Sequence, residues 1–346
     1  MGIVLALLAL MGGIGGYGYY TTFVAPTKVL AVRVGDVVHN QGDIVARLKM
    51  QQAATIALGE IFDLGREPFE AVRQVTEAEV IRRGAPEYDV WVTEEDIELV
   101  LRQRFYPRNF EDQEFPPGQL EREYSEAYNN FLERSHLSHS DYSGFVEEEV
   151  YRSYMLDALG QNLPTETEQV EVQWVRLPSL IDPETVRSPG PNADHVRDRL
   201  LSEDFGTVAG ELSQDLEYSN SSGYVGWVPE GAFPFLDDLL FGTEDEPPLD
   251  YFEISDPVHH PTDPEGIFIL RVLAGPEVHP ISELMQFRLR AEELKRWLGE
   301  QISQGSEEGW LEINNDSSLY AWVVKQLRTS APDATPPASS PGLDIR

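Results

Sequence analysis

Between Gly2 and Pro26 the chain carries no charged side chain, and Ile3 to Ile14 is almost continuously apolar. About 20 such residues suffice to cross a bilayer as one helix, since a helix satisfies its own backbone polar groups in hydrocarbon. A buried helix of the globular body is the alternative, but the run leads straight into polar sequence, which favours a span. Tyr17, Tyr19, Tyr20 and Phe23 sit where an interfacial aromatic belt closes such a span. A cleaved signal peptide fits less well: no basic segment precedes the run, and Val24-Ala25-Pro26 is a poor small-residue cleavage site. Residues 1–26 are therefore expected to form a transmembrane helix. Lys28 and Arg33 follow it, which on charge alone weakly favours a cytoplasmic body.

The remainder is long enough for about two domains. With 26 Lys+Arg against 60 Asp+Glu, the net charge of −34 repels phosphates and excludes nucleic acid as a partner. A hydrophobic content of 41% excludes a wholly disordered chain. The absence of cysteine removes disulfides, thiolate metal sites and cysteine nucleophiles.

Val29–Val38 alternates around Gly35-Asp36 as two short strands, and Ile44–Leu58 has helical spacing. An amphipathic helix is expected within 60–85. Thr93 followed by Asp96 marks a helix start, and further helices are expected over Leu120–Phe131 and Asp141–Leu159, the latter capped by Ser140 or Asp141. Beyond Leu163-Pro164 the pattern changes. Strands are expected at Val170–Leu177, Gly223–Val228, Tyr251–Ile254 and Gly266–Leu273, with helical pattern over Ala193–Leu212 and Pro234–Phe241. This β-α-α-β-α-β-β order describes a compact α+β domain. A long helix to Ile302, a second over Ser318–Leu327 and a Pro/Ser/Ala-rich tail end the chain.

Ser213-Gln214-Asp215, followed by Ser222-Gly223-Tyr224-Val225-Gly226-Trp227, resembles the parvulin signature S-x-D…G-G-D-L-G-W. Ile254-Ser255-Asp256-Pro257-Val258 is similar to that family's I-S-x-P-V, and Gly266–Val272 to its last strand, G-[YI]-H-I-I-x-V. Outside this region, Val29–Val38 and Val92–Ile97 resemble the A-x-V-N-G-x-x-I and V-T-x-x-E-I of SurA/PpiD/PrsA-like foldases. The resemblance spans about 29–328 and implies a helical chaperone domain (27–163, completed by helices at 279–328) with an inserted parvulin-like α+β domain (164–278), a transmembrane helix before them and a disordered tail (329–346) after. It also implies a single-pass protein of the cell membrane with an extracytoplasmic body, binding unfolded or nascent secreted polypeptides with X-Pro bonds.

Peptidyl-prolyl isomerisation needs no nucleophile, metal or cofactor. A twisted amide has lost its resonance dipole, so an apolar, water-poor pocket favours it over the planar ground state. Carried over onto this sequence, the resemblance makes Asp215 the acidic group beside the amide. Trp174, Val225, Phe233, Leu236 and Phe268 line the proline pocket, although Gly231–Phe241 is one residue shorter than the family interval. Both family histidines are aromatic here, as Trp174 and Phe268. Two readings follow: the rings stack, remove every polar proton and leave a binding groove with little turnover, or desolvation and Asp215 suffice for isomerase activity. A scaffold at the export machinery, using the fold as an interaction surface, is a third. Trp227 is expected in the core, and His259-His260 in a solvated loop rather than a metal site. No G-x-S-x-G elbow supports a serine hydrolase.

Overall fold

The structure is a computed structural model that describes residues 20–107, 115–177, 192–215, 218, 221–261, 266–314 and 317–330. Most of the expected span over 1–26 and nearly all of the expected tail lie outside them. Among the described residues no helix is long and apolar enough to cross a membrane. The described part divides into two compact units, one within Met1–Ala158 and Trp297–Arg346, the other Leu159–Arg296.

The first unit opens with β1 (Leu30–Val34) and β2 (Val37–Asn40), joined by a tight turn in which Gly35 takes φ +59°. Gln41–Leu58 is α1, Glu67–Gly84 α2, Glu94–Phe105 α3, Gln119–Ser135 α4 and His139–Gly160 α5. The Thr93–Asp96 start is a reciprocal cap. The Thr93 N–H donates to Asp96 Oδ2 (2.8 Å), and Thr93 Oγ1 accepts from the Asp96 N–H (3.3 Å). The cap of α5 is Ser138, two residues before the first expected one, because its hydroxyl reaches the Asp141 N–H (3.1 Å) while Asp141 accepts from the Ser138 N–H (3.0 Å). In α4, Tyr124, Tyr128 and Phe131 recur at helical spacing and are buried with Leu101, Tyr142 and Val146. Phe131 and Tyr142 meet at 4.5 Å between ring centres. Leu311–Ile313, a strand the sequence reading missed, is β7, and it adds to β1 antiparallel.

The second unit is a four-stranded antiparallel sheet in the order β4-β3-β6-β5, built from β3 (Glu166–Leu177), β4 (Tyr224–Pro229), β5 (Val258–His259) and β6 (Ile267–Pro280). Alternation along β3 and β6 serves two cores. Val175, Leu177, Ile267 and Ile269 pack under α6 (Ala193–Ser202) and α7 (Phe205–Leu212). Val170, Val172, Trp174, Phe268, Leu270 and Val272 face the other way, toward α8 (Asp237–Phe241). Ile281 and Met285, at the start of α9 (Glu283–Glu308), close that second core. The expected strand Tyr251–Ile254 is not one. Phe252 takes φ +62°, which breaks the extended backbone, and only Tyr251 bridges Val272. The last helix, α10 (Ser317–Ser330), runs past the expected start of the tail.

Two expectations follow. Ser222 stands at φ +59°, where a Cβ is strained. Ser222→Gly is expected to raise the stability of the second unit by about 0.5–1 kcal/mol, read by denaturant unfolding. In the first unit, burial alone would raise the Glu79 carboxyl. His39 Nε2 and Arg82 Nη1, each 3.0 Å from Glu79 Oε1, outweigh it and hold the carboxyl below the usual range. A pKa lower in the folded than in the unfolded state gives stability that is present above the unfolded value and lost as pH falls through the folded one. Glu79→Gln should therefore flatten the acid loss of protection in hydrogen exchange of this unit; an unchanged profile would contradict the linkage.

Candidate functional site

The site begins with how β3 is fastened at Trp174. The Trp174 backbone N–H donates to Gly223 O (2.9 Å), and a Cβ on Gly223 would lie 2.3 Å from Trp174 O. Only glycine, here at φ +78°, lets the chain entering β4 come that close. Next along β3, the Arg176 N–H donates to Ser213 Oγ (3.2 Å), and the Gln214 N–H donates to Arg176 O (2.8 Å). The Ser213-Gln214-Asp215 segment is thus tied to the strand, and Asp215 is carried onto the Trp174 side chain. The indole Nε1–H donates to Asp215 Oδ2 at 3.0 Å, with both residues buried.

This corrects the expectation that the aromatic replacements remove every polar proton. An indole retains one, and it is spent on the carboxylate, as a charge-assisted hydrogen bond in apolar surroundings.

Around that bond the rings form a box. Trp174 meets Tyr218 at 5.3 Å, Phe233 at 5.0 Å and Phe268 at 5.3 Å, all edge to face. The expected stack of Trp174 on Phe268 does not form. Phe268 is in register with Arg176 and Trp174 with Leu270, so the two rings are diagonal neighbours, and edge-to-face contact satisfies the ring quadrupoles. Trp174 is 1% exposed, Phe268 6%, Phe233 8% and Leu236 0%, while Val225 is only partly buried against the same cluster. The residues assigned to the pocket from sequence are therefore brought together, but mostly as a filled core.

The accessible edge belongs to a residue the sequence reading did not single out. Phe235 lies 5.2 Å from Phe268 and 4.6 Å from the His260 ring. The turn before α8 puts Leu236 inside and Phe235 against Phe268, and aromatic residues outside a regular element carry no periodicity from which this could be read. Arg288, whose guanidinium sits 4.7 Å over the Phe233 ring, comes from α9 and gave no signal either. His259 ends the two-residue edge strand β5 and is exposed, and His260 follows it outside the strand. Trp227 is half-buried, its ring 3.8 Å from His279, rather than in the core. Among the described residues no three His, Asp or Glu side chains gather as a metal site.

No known family profile matches the chain. No characterised protein matches it in sequence. Among solved structures it is similar to the peptidylprolyl isomerase PrsA of Bacillus anthracis (16% identity, TM-score 0.37, covering 70% of this chain and 98% of that one). It is similar also to a SurA-like chaperone of Campylobacter jejuni (14%, 0.25, 65% and 96%) and to the parvulin NmPin of Nitrosopumilus maritimus (19%, 0.22, 31% and 98%).

The Trp174–Asp215 bond is open to a double-mutant cycle. Trp174→Phe, Asp215→Ala and the pair should show a coupling of about 1.5–3 kcal/mol in unfolding free energy, as for a hydrogen bond to a charged group. Additive losses would mean that the bond contributes nothing to stability.

Proposed function

We propose that this protein is a membrane-anchored, extracytoplasmic folding factor. It binds unfolded or nascent secreted polypeptides through its helical unit and through a parvulin-type domain whose isomerase chemistry is strongly reduced. The observation that carries the reading is the Trp174–Asp215 hydrogen bond inside the aromatic box, at the place where the sequence motifs put a parvulin's acidic group and its paired histidines.

An X-Pro amide resists rotation with a barrier of about 20 kcal/mol. Lowering it in an apolar pocket requires the proline ring and the amide to reach that pocket. Trp174, Phe233, Leu236 and Phe268 are already surrounded by protein, and one Asp215 oxygen is engaged by the indole. A client proline therefore meets the rim, at Phe235 and Val225, rather than the interior. Binding at the rim gives affinity without selecting the twisted amide, and only that selection speeds the reaction.

The helical unit offers apolar side chains to clients independently. Ile56, Ile61, Trp91 and Leu99 are each more than half exposed, with Ile61 at 94%. A net charge of −34 keeps such a holder soluble and favours basic clients. The anchor is residues 1–26, and the extracytoplasmic placement follows from the resemblance to anchored foldases. A working isomerase is the second reading, favoured by the retention of Asp215 in apolar surroundings with a polar proton beside it.

The test is refolding of a proline-limited client by the full chain, compared with Asp215→Ala and with Trp174→His/Phe268→His. The wild type is expected to suppress client aggregation while barely changing the slow phase, and the double histidine variant to accelerate it. Acceleration by the wild type that disappears in Asp215→Ala would make the protein a working isomerase and overturn the reduced-catalysis reading.

A further inference from the structure

A second depression lies on the same face of the sheet as Trp174, four residues back along β3, or roughly 13 Å at 3.3 Å per residue. Val170, Leu240 and Val272 floor a cavity of about 220 Å³, walled by Pro248, Tyr251 and Pro276. Small-molecule sites usually span about 300–1,000 Å³, so this volume suits one large side chain rather than a cofactor.

The wall is held in an unusual way. Tyr251, which lines the cavity, donates its hydroxyl to Gly275 O, and next to it, outside the lining, the Phe252 N–H donates to Val272 O (2.9 Å); both residues stay largely exposed, Tyr251 at 59% and Phe252 at 62%. Phe252 also stands at φ +62°, where glycine or asparagine costs less. Folding gains little from a strained residue with an exposed ring, and strain of this kind is characteristic of ligand clamps.

Charge then selects the occupant. From Pro229 to Val258 the sequence has nine carboxylates and no Lys or Arg. Asp250 lines the cavity, the exposed Glu244-Asp245-Glu246 run leads into Pro247-Pro248, and exposed Glu277 follows Pro276. Such a rim repels anionic lipid and acidic peptide, and attracts Lys and Arg.

We infer that this face is a docking site for a basic peptide segment, which inserts one leucine- or phenylalanine-sized side chain into the cavity while its flanking Lys or Arg residues meet the acidic rim. The inference goes beyond the foldase reading: Val170, Leu240 and Val272 share a core with Trp174, but the cavity opens at Pro248, Tyr251 and Pro276, outside the residues assigned to the proline pocket.

The experiment uses the full chain and a fluorescein-labelled peptide with a single leucine between paired lysines, followed by anisotropy. Expected are saturable binding that weakens with salt, no binding when glutamates replace the lysines, and a loss of about tenfold when alanine replaces the leucine. Tyr251→Ala and Phe252→Gly should each weaken binding about tenfold or more. Phe252→Gly should also keep or raise the melting temperature, because glycine relaxes the backbone at that position, so its loss of binding cannot come from unfolding. The inference is overturned if the lysine peptide does not bind, if the glutamate peptide binds equally well, or if neither variant changes affinity. Displacement by an excess of an uncharged Ala-Ala-Pro peptide would place the lysine peptide in the Trp174 site. That would overturn this inference and leave the foldase reading standing.

Discussion

Trp174 holds the second unit together through two hydrogen bonds that run in different directions. Its backbone N–H ties β3 to Gly223 at the entry to β4, and its indole N–H ties the strand to Asp215. Between them these bonds fix the strand that pairs with both β4 and β6, and they set the segment that brings a carboxylate over the rings. Tyr218, Phe233 and Phe268 then pack edge-on around the indole. A buried carboxylate is costly in an apolar setting unless a donor meets it. The side chain that fills the pocket is therefore also the one that makes its acid tolerable.

The sheet places its two special regions along one face. Toward the β3 C-terminal end is the filled box; toward its N-terminal end is the cavity beside Tyr251 and Phe252. Each is served by a residue in the left-handed region, Ser222 before the glycine that admits β4, and Phe252 where the chain leaves the sheet edge. The two differ in what the strain obtains. Ser222 occupies a turn that glycine would serve better, whereas Phe252 holds an aromatic ring in solvent beside an acidic rim.

Much of the fold was legible along the chain. The Thr93–Asp96 cap, the strand pair around Gly35-Asp36 and the helices of the first unit depend on contacts within one turn or one hairpin, which spacing reveals. The parvulin-like motifs placed Ser213, Asp215, Gly223 and Phe268 on the right strands and loops. Tyr251–Ile254 read as a strand because its residues favour one; the φ of Phe252, which no composition signals, decided otherwise. Phe235 and Arg288 were missed because both reach the site through tertiary packing, one from an aperiodic turn and one from a helix more than 100 residues beyond β3.

By itself the sequence determined the α+β division, the acidic surface and the list of side chains at the site, since residue type, charge and alternation are local properties. Tertiary structure decided what those side chains do. Whether Trp174 and Phe268 stack or meet edge-on depends on the β3–β6 register. Whether an indole proton reaches a carboxylate depends on a segment 41 residues away being tied back to the strand. Whether aromatic residues make a groove or a filled core depends on how completely they cover one another, and that is a property of three-dimensional packing alone.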